Sequence, residues 1–206
     1  PGTQALTTVN TLPFLPKPLE YIQRLDARDP DEIDLVVIHC TELPDLATAR
    51  EYGERVRYPA SGTGNAGHYY IEAEGRVHQW VPPDRVAHHV RAYNPRTIGI
   101  ELCNPGRYPD WFDSRRQTMT TPYPDAQVDA LIDLLHALRG ALPSLGWISG
   151  HEVLDTGQVP ASDDPGQLVF RKRDPGPMFP WPRVLAAVDL DWFDPAGGDP
   201  PAGPAD

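Results

Sequence analysis

The chain has 206 residues, with 18 Lys+Arg against 29 Asp+Glu, a net charge of −11 and 40% apolar residues. That length suits one domain with a real core and some extra loops. No basic stripe forms, which argues against a nucleic-acid partner, because binding to phosphate backbones rests on many basic contacts; no run is long and apolar enough to span a membrane. Two cysteines, Cys40 and Cys103, are too few for a disulfide framework and are not spaced as a metal motif. They read as buried free thiols, able to pair only in an oxidising compartment.

In chain order, residues 1–30 carry scattered apolar positions (Leu12, Phe14, Leu15, Leu19, Tyr21, Ile22) with no clear period. They read as an extended arm laid on a domain spanning 31–193. The first secure element is a strand over 33–39, whose run Leu35-Val36-Val37-Ile38 is apolar on both faces, as in the middle of a sheet. It ends at His39, where sites are commonly built, although a lone histidine there reads more readily as a hydrogen-bonded core residue than as a ligand. The spacing of Leu46, Ala49, Tyr52, Gly53 and Val56 predicts a helix over 45–56 capped by Asp45. Ser61-Gly62-Thr63-Gly64-Asn65 lacks the lysine of a phosphate-binding loop and reads as a flexible connection.

Strands over 67–73 and 76–81, joined at Glu74-Gly75, predict a hairpin; His68 and His78 on them read as structural. The run Thr97–Leu102 is another buried strand, interrupted by Glu101, and a carboxylate there is costly unless paired or useful. A loop over 104–121 with Trp111 and Phe112 is expected to form a lid or a binding rim. Residues 125–142 form the clearest helix, striped by Val128, Leu131, Leu134, Leu135 and Leu138, with Asp125 as its cap and His136 as an ordinary helix residue. A short strand at Trp147-Ile148 ends at His151. Residues 155–167 read as a polar insertion, 181–188 as a last helix with Pro182 in its first turn, and 194–206 as a disordered tail.

One stretch organises the chemistry: Arg171-Lys172-Arg173-Asp174-Pro175-Gly176-Pro177. The residue before a proline is pushed towards an extended backbone, so Lys172 and Asp174 should face one site together. In a chain whose only lysines are Lys17 and Lys172, a lysine there points to a need for a compact charge. His39, His151 and Asp174 thus lie at the ends of extended segments. Two imidazoles and one carboxylate with an open fourth position form the catalytic arrangement for zinc. Zinc activates water by lowering its pKa to roughly 7. Glu101 could then shuttle a proton and Lys172 could stabilise an oxyanion, a coherent set for amide hydrolysis.

The segments Leu35–His39, Gly67–Ile71, Ala87-His88-His89, Ile98–Leu102, Tyr123–Gln127, Gly150-His151-Glu152 and Lys172–Pro177 occur in the order found in one enzyme family. The chain resembles the zinc-dependent N-acetylmuramoyl-L-alanine amidases of the AmpD type (amidase_2), kin of T7 lysozyme and the peptidoglycan-recognition proteins. The resemblance covers 33–188. It implies an α/β fold with a central mixed β-sheet flanked by helices, Zn2+ on His39, His151 and Asp174, Glu101 as general base and acid, and Lys172 as oxyanion stabiliser. It places His89 where the family has the histidine of a Trp-His pair lining the substrate groove, with His88 replacing the tryptophan. The expected substrate is peptidoglycan or a muropeptide, cut between N-acetylmuramic acid and L-alanine; the alternative is a non-catalytic recognition module. The expected state is a monomer. The Pro-rich ends and the start at Pro1 set an expectation of a periplasmic or extracellular protein rather than a cytoplasmic one.

Overall fold

The computed structural model describes residues 13–205; Leu12 of the arm lies outside them. Nine strands and four α-helices follow in chain order. They are β1 (Leu15–Pro16), β2 (Leu35–Cys40), α1 (Leu46–Glu54), β3 (Tyr69–Ile71), β4 (Val77–Gln79), β5 (Thr97–Leu102), α2 (Asp125–Ala141), β6 (Trp147–Gly150), α3 (His151–Leu154), β7 (Gln158–Pro160), β8 (Leu168–Phe170), α4 (Trp181–Ala187) and β9 (Asp191–Trp192). Seven strands make one sheet in the order β1-β4-β3-β5-β2-β6-β9, and β7 and β8 pair separately. Only the β3–β4 pair of the main sheet is antiparallel; its other pairings are parallel. The fold is therefore α/β, with a central mixed sheet flanked by helices. Among the described residues no helix is long and apolar enough to cross a membrane.

Side-chain alternation along β2 builds both layers. Val36, Ile38 and Cys40 join Ile98, Ile100 and Leu102 of β5, Tyr69 and Ile71 of β3 and Ile148 of β6 in the main core. The α2 stripe of Val128, Leu131, Leu134, Leu135 and Leu138 closes that core together with Trp181 and Val184 of α4. Each such fully buried aliphatic side chain stabilises by about 1.5–3 kcal/mol. Leu35 and Val37 point to the other face, under Val90 and Tyr93, and His39 follows them in the alternation. Beside them a second cluster holds Tyr70 stacked on Trp80 with ring centroids 3.5 Å apart, packed with Leu19, Tyr21 and Leu25 of the arm. The turn between β3 and β4 closes through Gly75, whose φ of +90° suits a residue without Cβ.

The structure shows details that the sequence reading did not carry. The cap of α2 is Pro124, whose extended backbone makes no side-chain cap bond. Asp125 is instead the first helical residue and accepts from Arg183 of α4 at 2.6 Å. The polar insertion contains β7, which pairs antiparallel with β8. The arm contributes β1 to the main sheet and buries Leu19, Tyr21 and Leu25, although Leu15 is exposed. The tail folds into a turn: the Asp194 carboxylate accepts from the backbone of Ala196 and Gly198, and the Trp192 indole donates to the Gly198 carbonyl at 3.1 Å. Pro, Gly and Ala supply no core, but one aspartate suffices to organise such a turn. Both cysteines are free thiols, Cys40 buried and Cys103 half-buried.

Candidate metal centre and groove

Parallel register places the first pair of polar side chains. His39 of β2 stands opposite Glu101 of β5, and Tyr70 of β3 lies on the far side of Glu101. All three project from the face away from α2. Ile38 pairs with Gly150 of β6, so His151, the next residue and the first of α3, arrives beside His39. The third group comes from the connection after β8. There the Asp174 carbonyl accepts from Glu152 N at 2.9 Å and the Pro175 carbonyl accepts from the Tyr123 hydroxyl at 2.6 Å, which pins the segment over the strand ends.

The result is a tight cluster. One carboxylate oxygen, Asp174 Oδ2, lies 2.9 Å from His39 Nδ1 and 3.1 Å from His151 Nδ1. The donor atoms of His39, His151 and Asp174 all fall within 4.8 Å of one another, and all three residues are buried. Glu101 Oε1 is 3.9 Å from His39 Nδ1. The second ring nitrogen of His151 is buried with no hydrogen-bond partner among the described residues. Burial foremost, then the neighbouring His151, pulls the His39 imidazole down to about 4, so at neutral pH it keeps a lone pair to give. Burial alone would raise the Asp174 carboxyl, but His151 and His39 hold it well below the usual range. Burial, reinforced by Asp174, pushes the Glu101 carboxyl well above its ordinary value. An ionised carboxylate oxygen facing two imidazole nitrogens is a donor set suited to a divalent cation.

The cluster lies in a groove of about 510 Å³ that is also lined by Lys172, Arg171, Arg91, His88, His89, Tyr58 and Asn65. All six site residues singled out in the sequence therefore border one space. His89 borders it with both ring nitrogens already engaged inside the protein: Nδ1 is 2.9 Å from His39 Nε2 and Nε2 is 2.9 Å from Thr97 Oγ1. What it can show a ligand is its ring edge. His68, read as structural, is buried, with Nδ1 accepting from Gly99 N at 3.0 Å. His78 sits 2.8 Å from the Glu72 carboxylate.

Where the resemblance expects a tryptophan, His88 packs edge-on to Tyr58 with ring centroids 4.9 Å apart, and the Tyr58 hydroxyl donates to Asn65 at 2.8 Å. Sequence reading passed over Tyr58, Asn65, Arg91 and Arg171 as groove residues; only Arg171, inside the Arg-Lys-Arg-Asp run, carried a signal. The loop over 104–121 does not line this groove; its Arg107, Trp111 and Phe112 border an adjoining pocket of about 370 Å³ that shares Glu42 and Lys172 with it. Arg107 is buried and donates twice to Glu42, at 2.7 and 2.8 Å, and to the Phe170 carbonyl at 2.9 Å. The Trp111 indole donates to the Glu42 carbonyl at 2.8 Å.

Fold and site together define a mixed-sheet α/β domain with a buried two-histidine, one-carboxylate cluster at the floor of an open groove. The chain belongs to the family described as Amidase_2, N-acetylmuramoyl-L-alanine amidase, whose profile matches residues 29–177. Among its relatives, the 1,6-anhydro-N-acetylmuramyl-L-alanine amidase AmpD of Enterobacter cloacae is 35% identical over 127 residues, which cover 57% of this chain and 54% of that protein. The protein of the same name from Salmonella typhimurium strain LT2 is 32% identical over 123 residues, 60% of this chain and 57% of that one. The chain thus spans about half the length of the curated relatives it matches. A selenomethionine AmpD crystal structure superposes with a TM-score of 0.60 at 25% identity, over 86% of this chain and 95% of the other. AmiD from E. coli, solved with anhydro-N-acetylmuramic acid-L-Ala-D-gamma-Glu-L-Lys, superposes with a TM-score of 0.56 at 25% identity, over 82% and 65%.

Proposed function

We propose that this chain is a zinc-dependent amidase that hydrolyses the amide between N-acetylmuramic acid and L-alanine in peptidoglycan or muropeptides. The observation that carries the reading is the convergence of His39, His151 and Asp174 in one groove with Glu101 and Lys172. The donor set fits zinc. Bonds of about 2.0–2.1 Å in a tetrahedron put ligand atoms about 3.3 Å apart, close to the 2.9 and 3.1 Å separations from Asp174 Oδ2. His39, His151 and Asp174 would hold the ion and leave its fourth position to the groove. A bound zinc supplies Lewis-acid activation of water and of the scissile carbonyl.

The remaining chemistry belongs to the chain. Glu101 takes the proton of the attacking water and returns it to the leaving amine, a task that suits a carboxyl whose proton affinity is raised by burial. Lys172 offers an ammonium to the oxyanion formed at the carbonyl. Arg91 and Lys172 border the groove beside Glu42, Glu101 and Asp174, and these two cations are candidate partners for the free carboxylates of a stem peptide such as the one in the AmiD complex. The test is mass spectrometry of products from soluble muropeptides and from intact sacculi, with and without a chelator, beside measured zinc content. Release of free stem peptide that stops on chelation supports the proposal. Bound zinc without product would instead make this a recognition module.

A further inference from the structure

We infer that His89 and Thr97 form a positioning relay that fixes the tautomer and aim of His39, presenting its Nδ1 as a bare lone pair to the metal. The inference rests on the reading of His39, His151 and Asp174 as a metal centre. Four groups stand in line. His39 Nε2 is 2.9 Å from His89 Nδ1, His89 Nε2 is 2.9 Å from Thr97 Oγ1, and Thr97 Oγ1 is 3.4 Å from the Asn94 carbonyl oxygen.

Such a line can be polarised in two ways. In the first, His39 keeps its proton on Nδ1 and donates to Asp174. His39 Nε2 then accepts from His89, His89 Nε2 accepts from the Thr97 hydroxyl, and the Asn94 carbonyl gains nothing. In the second, the threonine hydroxyl donates to the carbonyl, which can only accept. Thr97 Oγ1 then accepts from His89 Nε2–H, His89 Nδ1 accepts from His39 Nε2–H, and His39 Nδ1 is left bare beside Asp174. The Asn94 carbonyl already accepts from Arg28 Nη1 at 3.1 Å and from the Thr97 backbone N–H, so it tolerates either polarity; only the second frees the atom that faces the other two ligands. Metal-bound histidines generally donate their far N–H to a fixed acceptor. Here that acceptor is another imidazole, itself oriented by a buried threonine.

The relay is rigidly seated. The Asn94 side-chain oxygen accepts from the backbone of His89 at 3.0 Å and of Val90 at 2.8 Å. The His89 ring lies directly over Gly99, where a Cβ would come within 2.6 Å of Nδ1. One face of β5 therefore supplies, in alternation, the relay anchor Thr97, the bare seat Gly99 and the proton shuttle Glu101. His151 has no counterpart, since its Nε2 is buried without a partner among the described residues.

The experiment is zinc affinity of the whole chain, measured by chelator competition, for the parent and for Thr97→Val, Thr97→Ser, His89→Phe and His89→Asn. Loss of a partner that orients a metal ligand typically costs 10–100-fold in affinity. Thr97→Val should weaken zinc about tenfold or more and Thr97→Ser should restore it. His89→Phe should weaken it further, while His89→Asn, which keeps an acceptor at the Nδ1 position, should stay within a few-fold of the parent. Parent-like affinity in Thr97→Val overturns the relay, as does a Thr97→Ser variant that is as weak as Thr97→Val, because packing rather than the hydroxyl would then be at work. If His89→Phe does not fold, the threonine pair alone decides. A parent chain that binds no zinc overturns the metal centre itself, and the relay with it.

Discussion

Glu42 is the most informative perturbation of the groove wall. It follows β2 by two residues, with a left-handed φ of 49°, and receives Arg107 Nε at 2.7 Å, Arg107 Nη2 at 2.8 Å and the Arg107 backbone N–H at 3.1 Å. The Arg107 side chain is only 1% exposed and that of Glu42 12%. Glu42→Ala leaves the guanidinium buried, with Gln117 and two backbone carbonyls as its remaining acceptors. Breaking a buried ion pair from one side costs about 3–5 kcal/mol. Because Glu42 borders the groove and water can enter where the carboxylate was, the lower end, about 3 kcal/mol, applies. For a chain of this length each kcal/mol moves the melting temperature by about 2–4 °C, so the melt should fall by about 6–12 °C. The assay is calorimetry of Glu42→Ala beside the double variant Glu42→Leu, Arg107→Met, which removes both charges and should recover much of the loss. A single variant that melts within about 3 °C of the parent would refute the claim that this pair holds the 104–121 loop to the sheet.

Two other substitutions test separate links. Glu101→Gln keeps shape but cannot take a proton, so turnover should fall about 10²–10⁴-fold, or about 2.7–5.4 kcal/mol of transition-state stabilisation, with zinc content unchanged; a variant that keeps a tenth of the parent rate would remove Glu101 from the mechanism. The Glu72 carboxyl is held down to about 2, first by its hydrogen bond from Arg76, with His78 adding to it. A folded value below the unfolded one means stability that is present above about pH 4.5 and lost as pH falls towards 2. Glu72→Gln should flatten that part of the stability–pH curve, and an unchanged acid slope would count against the pair.

How much could be read in advance divides along a physical line. Strands β2 and β5 were legible because a strand buried on both faces must be a continuous apolar run, and Glu101 stood out because nothing else in Ile98–Leu102 is charged. Lys172 and Asp174 were legible because Pro175 constrains the backbone before it. The β7–β8 pair was not: Leu168, Val169 and Phe170 are all apolar although only Val169 is buried, so no polar–apolar alternation in the sequence marks a core face. Nor were β1 and β9, two residues each, whose pairing depends on the sheet already being there. The Asp194 turn was not legible for a related reason, since composition speaks to the absence of a core and not to a turn that one carboxylate can close.

The largest gap concerns His89. Its sequence position gave it the look of a groove residue, and it does border the groove. Its hydrogen bonds, however, join residues 50 and 8 positions away, and they exist because β2 and β5 pair with His39 opposite Glu101. A shift of one residue in that register would turn Thr97, Gly99 and Glu101 to the helix face together, and remove the proposed anchor, seat and proton shuttle at once. Residue types at a metal centre can be read from a chain, because donor chemistry is local. The protonation pattern that makes a nitrogen a ligand is a property of sheet register.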